Sequence, residues 1–370
     1  MKVLFVSRLF DGVSGGIERM AIALMNELNV RGHKIELLSW DRVDAETYYP
    51  LDKDVVWNRL DMGDAKEKAG WRLRASRQIA IRRFLKSSRP DVMIAFQHGP
   101  FLTVAMAALG LGIPIIAAER NAPQRFDHLR AGKRRGLIFQ TFRMADRITV
   151  QLDDYLEGYP HYLRERIVSI PNPVWPATEP AEPAGTGSRS KRLLSVGRLS
   201  YQKNQAALIE AFSQIADQVP GWDLVLVGAG EDETKLKKLV AEKGLDQRVE
   251  FTGAVKDVEQ FYRTSHLFCL SSRWEGFPNA LAEAMAHGLP AVGYADCAGV
   301  RQLIADNQTG CLAPGNGIVE TLADSLLYLM KDDAARQAMG DAARTAVEQF
   351  SPPAVFDRWE KLFCELAGKQ

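Results

Sequence analysis

Short apolar runs alternate along this chain with stretches whose apolar positions recur every three or four residues. That alternation predicts parallel sheets covered by helices. Val3–Val6 reads as a strand, followed by a loop over residues 7–16. A helix comes next, with Ile17, Met20, Ala21, Leu24 and Leu28 on one face. Ile35–Leu38, Val92–Phe96, Ile115–Ala118 and Ile148–Val150 are further strands, while residues 45–90 read as helical, basic and irregular. The long apolar run 101–118 does not read as a membrane span, because Gly110, Gly112 and Pro114 divide it into helix, turn and strand.

The pattern lapses between Asn172 and Lys191, where prolines, alanines, Gly185, Gly187 and Ser190 follow one another without periodicity. Such a stretch reads as a linker. Strand and helix then resume with Leu193–Val196, Leu224–Val227, Val249–Phe251, Leu267–Leu270 and Pro290–Val292. Helices are expected over Gln205–Gln218 and Asp232–Lys243. The tail is amphipathic, with Phe356, Trp359, Leu362, Phe363 and Leu366 on one side. The expected architecture is therefore α/β, with two Rossmann-like domains whose parallel sheets face a central cleft. The first covers 1–172 with helix 353–370 packing back on it, 173–191 is the linker, and 192–352 is the second domain.

A length of 370 residues suits two such domains. The net charge of +1 does not suggest a nucleic-acid binder. It hides an asymmetry: residues 1–175 carry 27 Lys and Arg against 20 Asp and Glu, and the remainder 20 against 26. Cys269, Cys297, Cys311 and Cys364 show no CxxC pairing or metal-ligand spacing. With no signal peptide legible at the start, reduced thiols and a cytoplasmic location are expected, with the inner face of the membrane as an alternative.

Three segments carry candidate chemistry, each at the carboxyl end of an expected strand, where open parallel sheets bind ligands. In the segment 271–288, Gly276, Phe277 and Pro278 lead into a helix that Gly288 closes. The amides of Asn279, Ala280 and Leu281 would stand open at the positive end of that helix, suited to an anion. Glu275 precedes the helix and Glu283 lies within it. Beside a diphosphate, their carboxylates suit hydroxyl groups. In the segment 195–204, Arg198 and Lys203 suit a leaving diphosphate. In the third, Gly15 and Gly16 let backbone approach a ligand closely. Neither that loop nor Gly228-Ala229-Gly230 completes a dinucleotide fingerprint, which disfavours a dehydrogenase.

Together the segments resemble the retaining glycosyltransferases of family 4, with the GT-B fold, over nearly the whole chain. Glu275 and Glu283 match the family's paired-glutamate motif, Arg198 and Lys203 its diphosphate-binding pair, and Gly15 and Gly16 its amino-terminal loop. The resemblance implies transfer of a sugar from a nucleotide-sugar donor, most simply a uridine diphosphate sugar, to a glycan or lipid-linked acceptor. It implies no metal and no other cofactor. Where many relatives carry a His near the transferred sugar, this chain has Arg120, and His98 at another strand end is the alternative.

Basic segments around Arg72, Arg74, Arg82, Arg83 and 133–135 are interleaved with Trp71, Phe84 and 137–139. They suit peripheral contact with a membrane surface, and a solvated basic face accounts for them equally. Two rival functions share the architecture: a nucleotide-sugar 2-epimerase and a non-catalytic sugar-nucleotide-binding subunit.

Overall fold

The computed structural model describes residues 1–128, 130–185 and 190–368 of the chain. Two units divide it, Met1–Pro173 with Pro353–Gln370, and Val174–Pro352. In the first, strands β1 (Lys2–Val6), β2 (Lys34–Ser39), β3 (Val56–Arg59), β4 (Val92–Phe96), β5 (Ile115–Ala118), β6 (Arg147–Val150) and β7 (Ile167–Ser169) form one sheet. Its order is β3-β2-β1-β4-β5-β6-β7, and every pairing is parallel. Strand β4 is apolar throughout and buried at every position, as a central parallel strand covered on both faces must be.

The helix Pro352–Leu366 completes the core of this unit, burying Val355, Phe356, Trp359, Leu362 and Phe363. Phe363 meets the ring of Phe5 on β1 at 6.1 Å. The helix is also fastened by charge. Arg31 reaches Asp357 at 2.7 Å and Glu360 at 2.6 Å, and His33 Nε2 lies 2.6 Å from the other Glu360 oxygen.

The second unit holds β8 (Lys191–Val196), β9 (Trp222–Val227), β10 (Val249–Gly253), β11 (Leu267–Leu270), β12 (Ala291–Tyr294) and β13 (Gly310–Ala313). These pair in parallel in the order β10-β9-β8-β11-β12-β13. Both sheets thus reverse their winding once, between β1 and β4 in one and between β8 and β11 in the other. At such a point the two outgoing loops diverge and leave a crevice that a ligand can enter.

Much of the stretch that reads as a linker is fastened to the second unit. Val174 N–H donates to Phe350 O (2.8 Å) and Ala181 N–H to His287 O (2.7 Å). The fully buried Arg336 donates to Pro183 O (2.9 Å) and Leu329 O (2.6 Å) while lying over the ring of Trp222. A guanidinium that satisfies carbonyls in this way gives aperiodic chain a fixed course. Residues 186–189 of that stretch, Gly187 among them, and 369–370 of the expected tail helix lie outside the described residues. Residues 45–90 hold, besides the helix Trp71–Ser88, the strand β3, which their irregular pattern did not disclose.

Candidate active site

The crevice of the second unit lies between the loop after β8 and the loop after β11, and the two are laced together by backbone and side chain. Ser271 Oγ donates to the carbonyls of Lys203 and Asn204, each at 3.0 Å. Arg273 N–H donates to Gln202 O (2.8 Å), and Gln202 Nε2 returns a bond to Trp274 O (2.9 Å). A third loop braces them from behind. Leu199 N–H donates to Ala229 O (3.1 Å), and a Cβ on Gly228 or Gly230 would run into the backbone of Gly197 or Leu199. The Gly-Ala-Gly triplet that completes no dinucleotide fingerprint thus serves close approach of two loops. Gly228, at φ +134°, also adopts a backbone conformation that favours glycine.

Within this frame Glu275 is buried, and its Oε1 accepts from Lys203 Nζ at 2.6 Å and from Ser272 Oγ at 2.5 Å. Sequence spacing brought Lys203 and Glu275 to one crevice without indicating that they pair. Ser272 lies within the segment 271–288, where a hydroxyl three residues before Glu275 is the one signal in the sequence for this bond. Cys297 lies against the same group, and burial together with the Glu275 charge pushes its thiol up to about 12. Arg198 is the contrast: exposed, with Nε 3.0 Å from Glu231 at the surface. Pairs of that kind contribute at most about 1 kcal/mol, so this guanidinium can turn toward a ligand at small cost.

Helix Asn279–Ala286 follows, with Pro278 at its N-cap and Gly288, at φ +79°, just beyond its end. One expected feature is corrected. Asn279 N–H does not stand open, because the turn at Pro278 lets it donate to Phe277 O at 2.9 Å. The first i→i−4 bond runs from Ala282 N–H to Pro278 O, so the amides of Ala280 and Leu281 precede the helical ladder. Gly276 is half-buried, and Phe277 is buried against Phe350. Glu283 is held from a direction the motif did not reveal. Buried Tyr262 donates its hydroxyl to Glu283 Oε2 at 2.9 Å, and the Tyr262 ring packs on His287.

In the first unit, Gly15 caps the helix Gly16–Val30 after β1, and a side chain at Gly15 would collide with the carboxylate of Glu18. Burial holds that carboxyl above its ordinary range. His98 opens the helix His98–Ala108 after β4, on the other side of the same reversal. Its Nε2 lies 2.8 Å from Thr141 Oγ1, and burial, then the charge of Arg125, lowers its pKa. The imidazole is therefore neutral at pH 7. Arg120 stands elsewhere. It is buried, bonded to Asn172 and to Ile170 O, and lies 5.9 Å over the Trp359 ring. Burial lowers its pKa to about 9. It fastens the chain leaving β7 and the C-terminal helix. Its neighbour Glu119, likewise buried, faces Arg125 at 3.3 Å and was not anticipated.

Residues 14–177 match the family described as Glycosyltransferase Family 4, and residues 179–346 match Glycosyl transferases group 1. An uncharacterised glycosyltransferase of Haemophilus influenzae is 26% identical over 354 residues, 94% of this chain and 96% of that one. A Campylobacter jejuni α-1,4-N-acetyl-D-galactosaminyltransferase, named for a diphosphoundecaprenol-linked GalNAc acceptor, is 24% identical over 99% of both chains. Among solved structures, Anabaena HepE in complex with UDP-glucose superposes with a TM-score of 0.77 at 19% identity, over 99% of this chain and 100% of that one.

Proposed function

The chain belongs to the family-4 glycosyltransferases of the GT-B fold, and from that premise we propose that it transfers a sugar from a uridine diphosphate sugar to a lipid-linked glycan, with retention of anomeric configuration. The observation that carries this reading is the Lys203–Glu275–Ser272 cluster at the reversal point of the second sheet. A buried carboxylate already bound by two donors keeps a fixed direction, which suits it to hydroxyls of the transferred sugar. Lys203 and Arg198 would neutralise the departing diphosphate, with the Ala280 and Leu281 amides supplying the positive end of a helix. Glu283, oriented by Tyr262, would take the ribose diol.

On the acceptor side the choice falls on His98 rather than Arg120. A neutral imidazole at a strand end can accept a hydroxyl proton, whereas the Arg120 guanidinium is engaged in holding chain. The Campylobacter relative's named acceptor supports a lipid-linked glycan, and hence a place in polysaccharide or glycoconjugate assembly. The excess of cations in residues 1–175 supports work beside anionic lipid.

The test is a screen of nucleotide sugars against a polyprenyl-diphosphate-linked glycan, following nucleotide release and the anomeric configuration of the product. Release of UDP only when the acceptor is present, with an α product from an α donor, is the expected result. Release indifferent to acceptor, or an inverted product, would sink the reading.

A further inference from the structure

A cavity of about 510 Å³ opens in the first unit between the helices Trp71–Ser88 and His98–Ala108. It lies toward the carboxyl ends of β1 and β2, since Arg8 and Trp40, which follow those strands, both line it. The apolar part of its wall is made by Trp40, Pro100, Leu102 and Met106, and four cations reach it: Arg8, Lys68, Arg74 and Arg77. Glu67 is the one carboxylate among the lining residues.

The guanidinium groups are satisfied as donors without being neutralised as charges. Arg8 donates to Ala65 O (2.5 Å) and Glu67 O (2.8 Å), Arg74 to Ala69 O (2.9 Å), and Arg77 twice to Met62 O. Among the described residues none of the four cations forms an ion pair with a carboxylate. Arg77 is buried, and burial followed by the like charge of Arg8 lowers its pKa, with nearby Asp64 offsetting this in part. With four cations against one carboxylate, the cavity carries excess positive charge, and where its wall is buried, as at Arg77, low dielectric strengthens attraction to an anion. The helix Trp71–Ser88 contributes Arg72, Arg82, Arg83 and Lys86 beyond the cavity, and no acidic residue at all.

Charge alone would suit any phosphate, but the surroundings are apolar as well. Trp71, Ile79, Met106 and Leu109, on or beside the same two helices, are all more than half exposed. Of these Met106 lines the cavity itself, and a large exposed apolar side chain there suits contact with something apolar. We propose that this cavity binds the diphosphate and the adjoining hydrocarbon of a polyprenyl diphosphate, the carrier end of the acceptor. The proposal rests on the lipid-linked acceptor argued above and adds where that acceptor is held.

Farnesyl diphosphate is the probe, titrated into the full chain beside inorganic diphosphate and farnesol. Farnesyl diphosphate should bind at least ~10-fold more tightly than either fragment, because it alone meets both the cations and the apolar wall. The double variant Lys68→Gln/Arg74→Gln and the variant Met106→Asp, both at exposed positions, should each weaken it at least ~10-fold. UDP binding, a property of the second unit in this reading, should stay unchanged and report intact folding. Equal binding of inorganic diphosphate or of farnesol, no binding of farnesyl diphosphate, or wild-type affinity in variants that still bind UDP would each overturn the site. If any of these accompanies acceptor-dependent UDP release, the site is wrong and the transferase reading stands. If that release is absent as well, the reading itself has failed.

Discussion

At the scale of single residues, the site turns on how charges are held before any ligand arrives. Lys203 spends its charge on Glu275, so each group sets the direction of the other. Replacing Glu275 by Gln keeps the volume and a hydrogen bond from Ser272 while removing the charge. Turnover should fall at least ~100-fold, the usual order for losing a preorganised electrostatic contact, with the melting temperature moved by only a few degrees. Steady-state kinetics together with a thermal melt check this, and near-normal turnover would remove Glu275 from the mechanism. Ser272→Ala deletes one hydrogen bond to the same carboxylate and should cost ~10-fold. A smaller group makes a sharper structural test. Gly228→Ala places a methyl against the Gly197 backbone, so the loop carrying Arg198 must shift. UDP affinity should drop at least several-fold, since a displaced Arg198 forfeits charge-assisted contact with the diphosphate. Calorimetric titration that finds wild-type affinity would show that the loop absorbs the methyl.

At the scale of elements, the helix Pro352–Leu366 joins the first unit by an apolar face and by ion pairs at its rim. The hydrogen bond from His33 and those from Arg31 hold Glu360 below the usual carboxylate range. A carboxyl lowered in the folded state contributes stability that is fully present above its unfolded pKa. That contribution is lost as pH falls through the folded value. Acidification from about pH 5 to about pH 3 should therefore destabilise the wild type more steeply than Glu360→Gln, which has no such charge to lose. Parallel melting curves over that window for the two proteins decide the matter, and equal slopes would show that the pairs at this rim are ornamental. Strands offer a related lesson. The expected pattern recovered the interior strands, and those it passed over, β3, β7 and β13, all lie at sheet edges. An edge strand is covered on fewer sides, so Val56–Arg59 can be half exposed and carry no apolar run to read.

At the scale of the whole molecule, the chain builds one winding twice and then returns to its first unit. The return is structural: Trp359 and Phe363 are fully buried there. Ending the chain after Pro352 would strip the first unit of a face of its core, and losing a single buried Trp or Phe costs about 3–5 kcal/mol. The truncated protein should show the first unit unfolded or aggregating while the second still binds UDP. Hydrogen exchange mapped along the chain would separate these outcomes, and a protected first unit in the truncated protein would contradict the assignment of the helix to that core.

The sequence alone determined the class of the fold and pointed to the loops that hold the candidate chemistry. Parallel strands buried on both faces must be apolar runs, and glycines, a proline and charged groups at strand ends have few other uses; Val92–Phe96 and the motif from Ser271 to Gly288 were legible for that reason. It could not decide relations between segments far apart in the chain. That Lys203 is bound by Glu275, that Tyr262 steers Glu283, and that Gly228 and Gly230 exist to admit another loop are facts of three-dimensional proximity. So is the fate of Arg120, which shares a strand-end position with the candidates yet turns inward to Ile170, Asn172 and Trp359. Spacing along a chain reports which residues share a loop or a face, while burial and partners are set only when distant loops are brought together, because hydrogen bonds and desolvation act over a few ångströms of space and not along sequence.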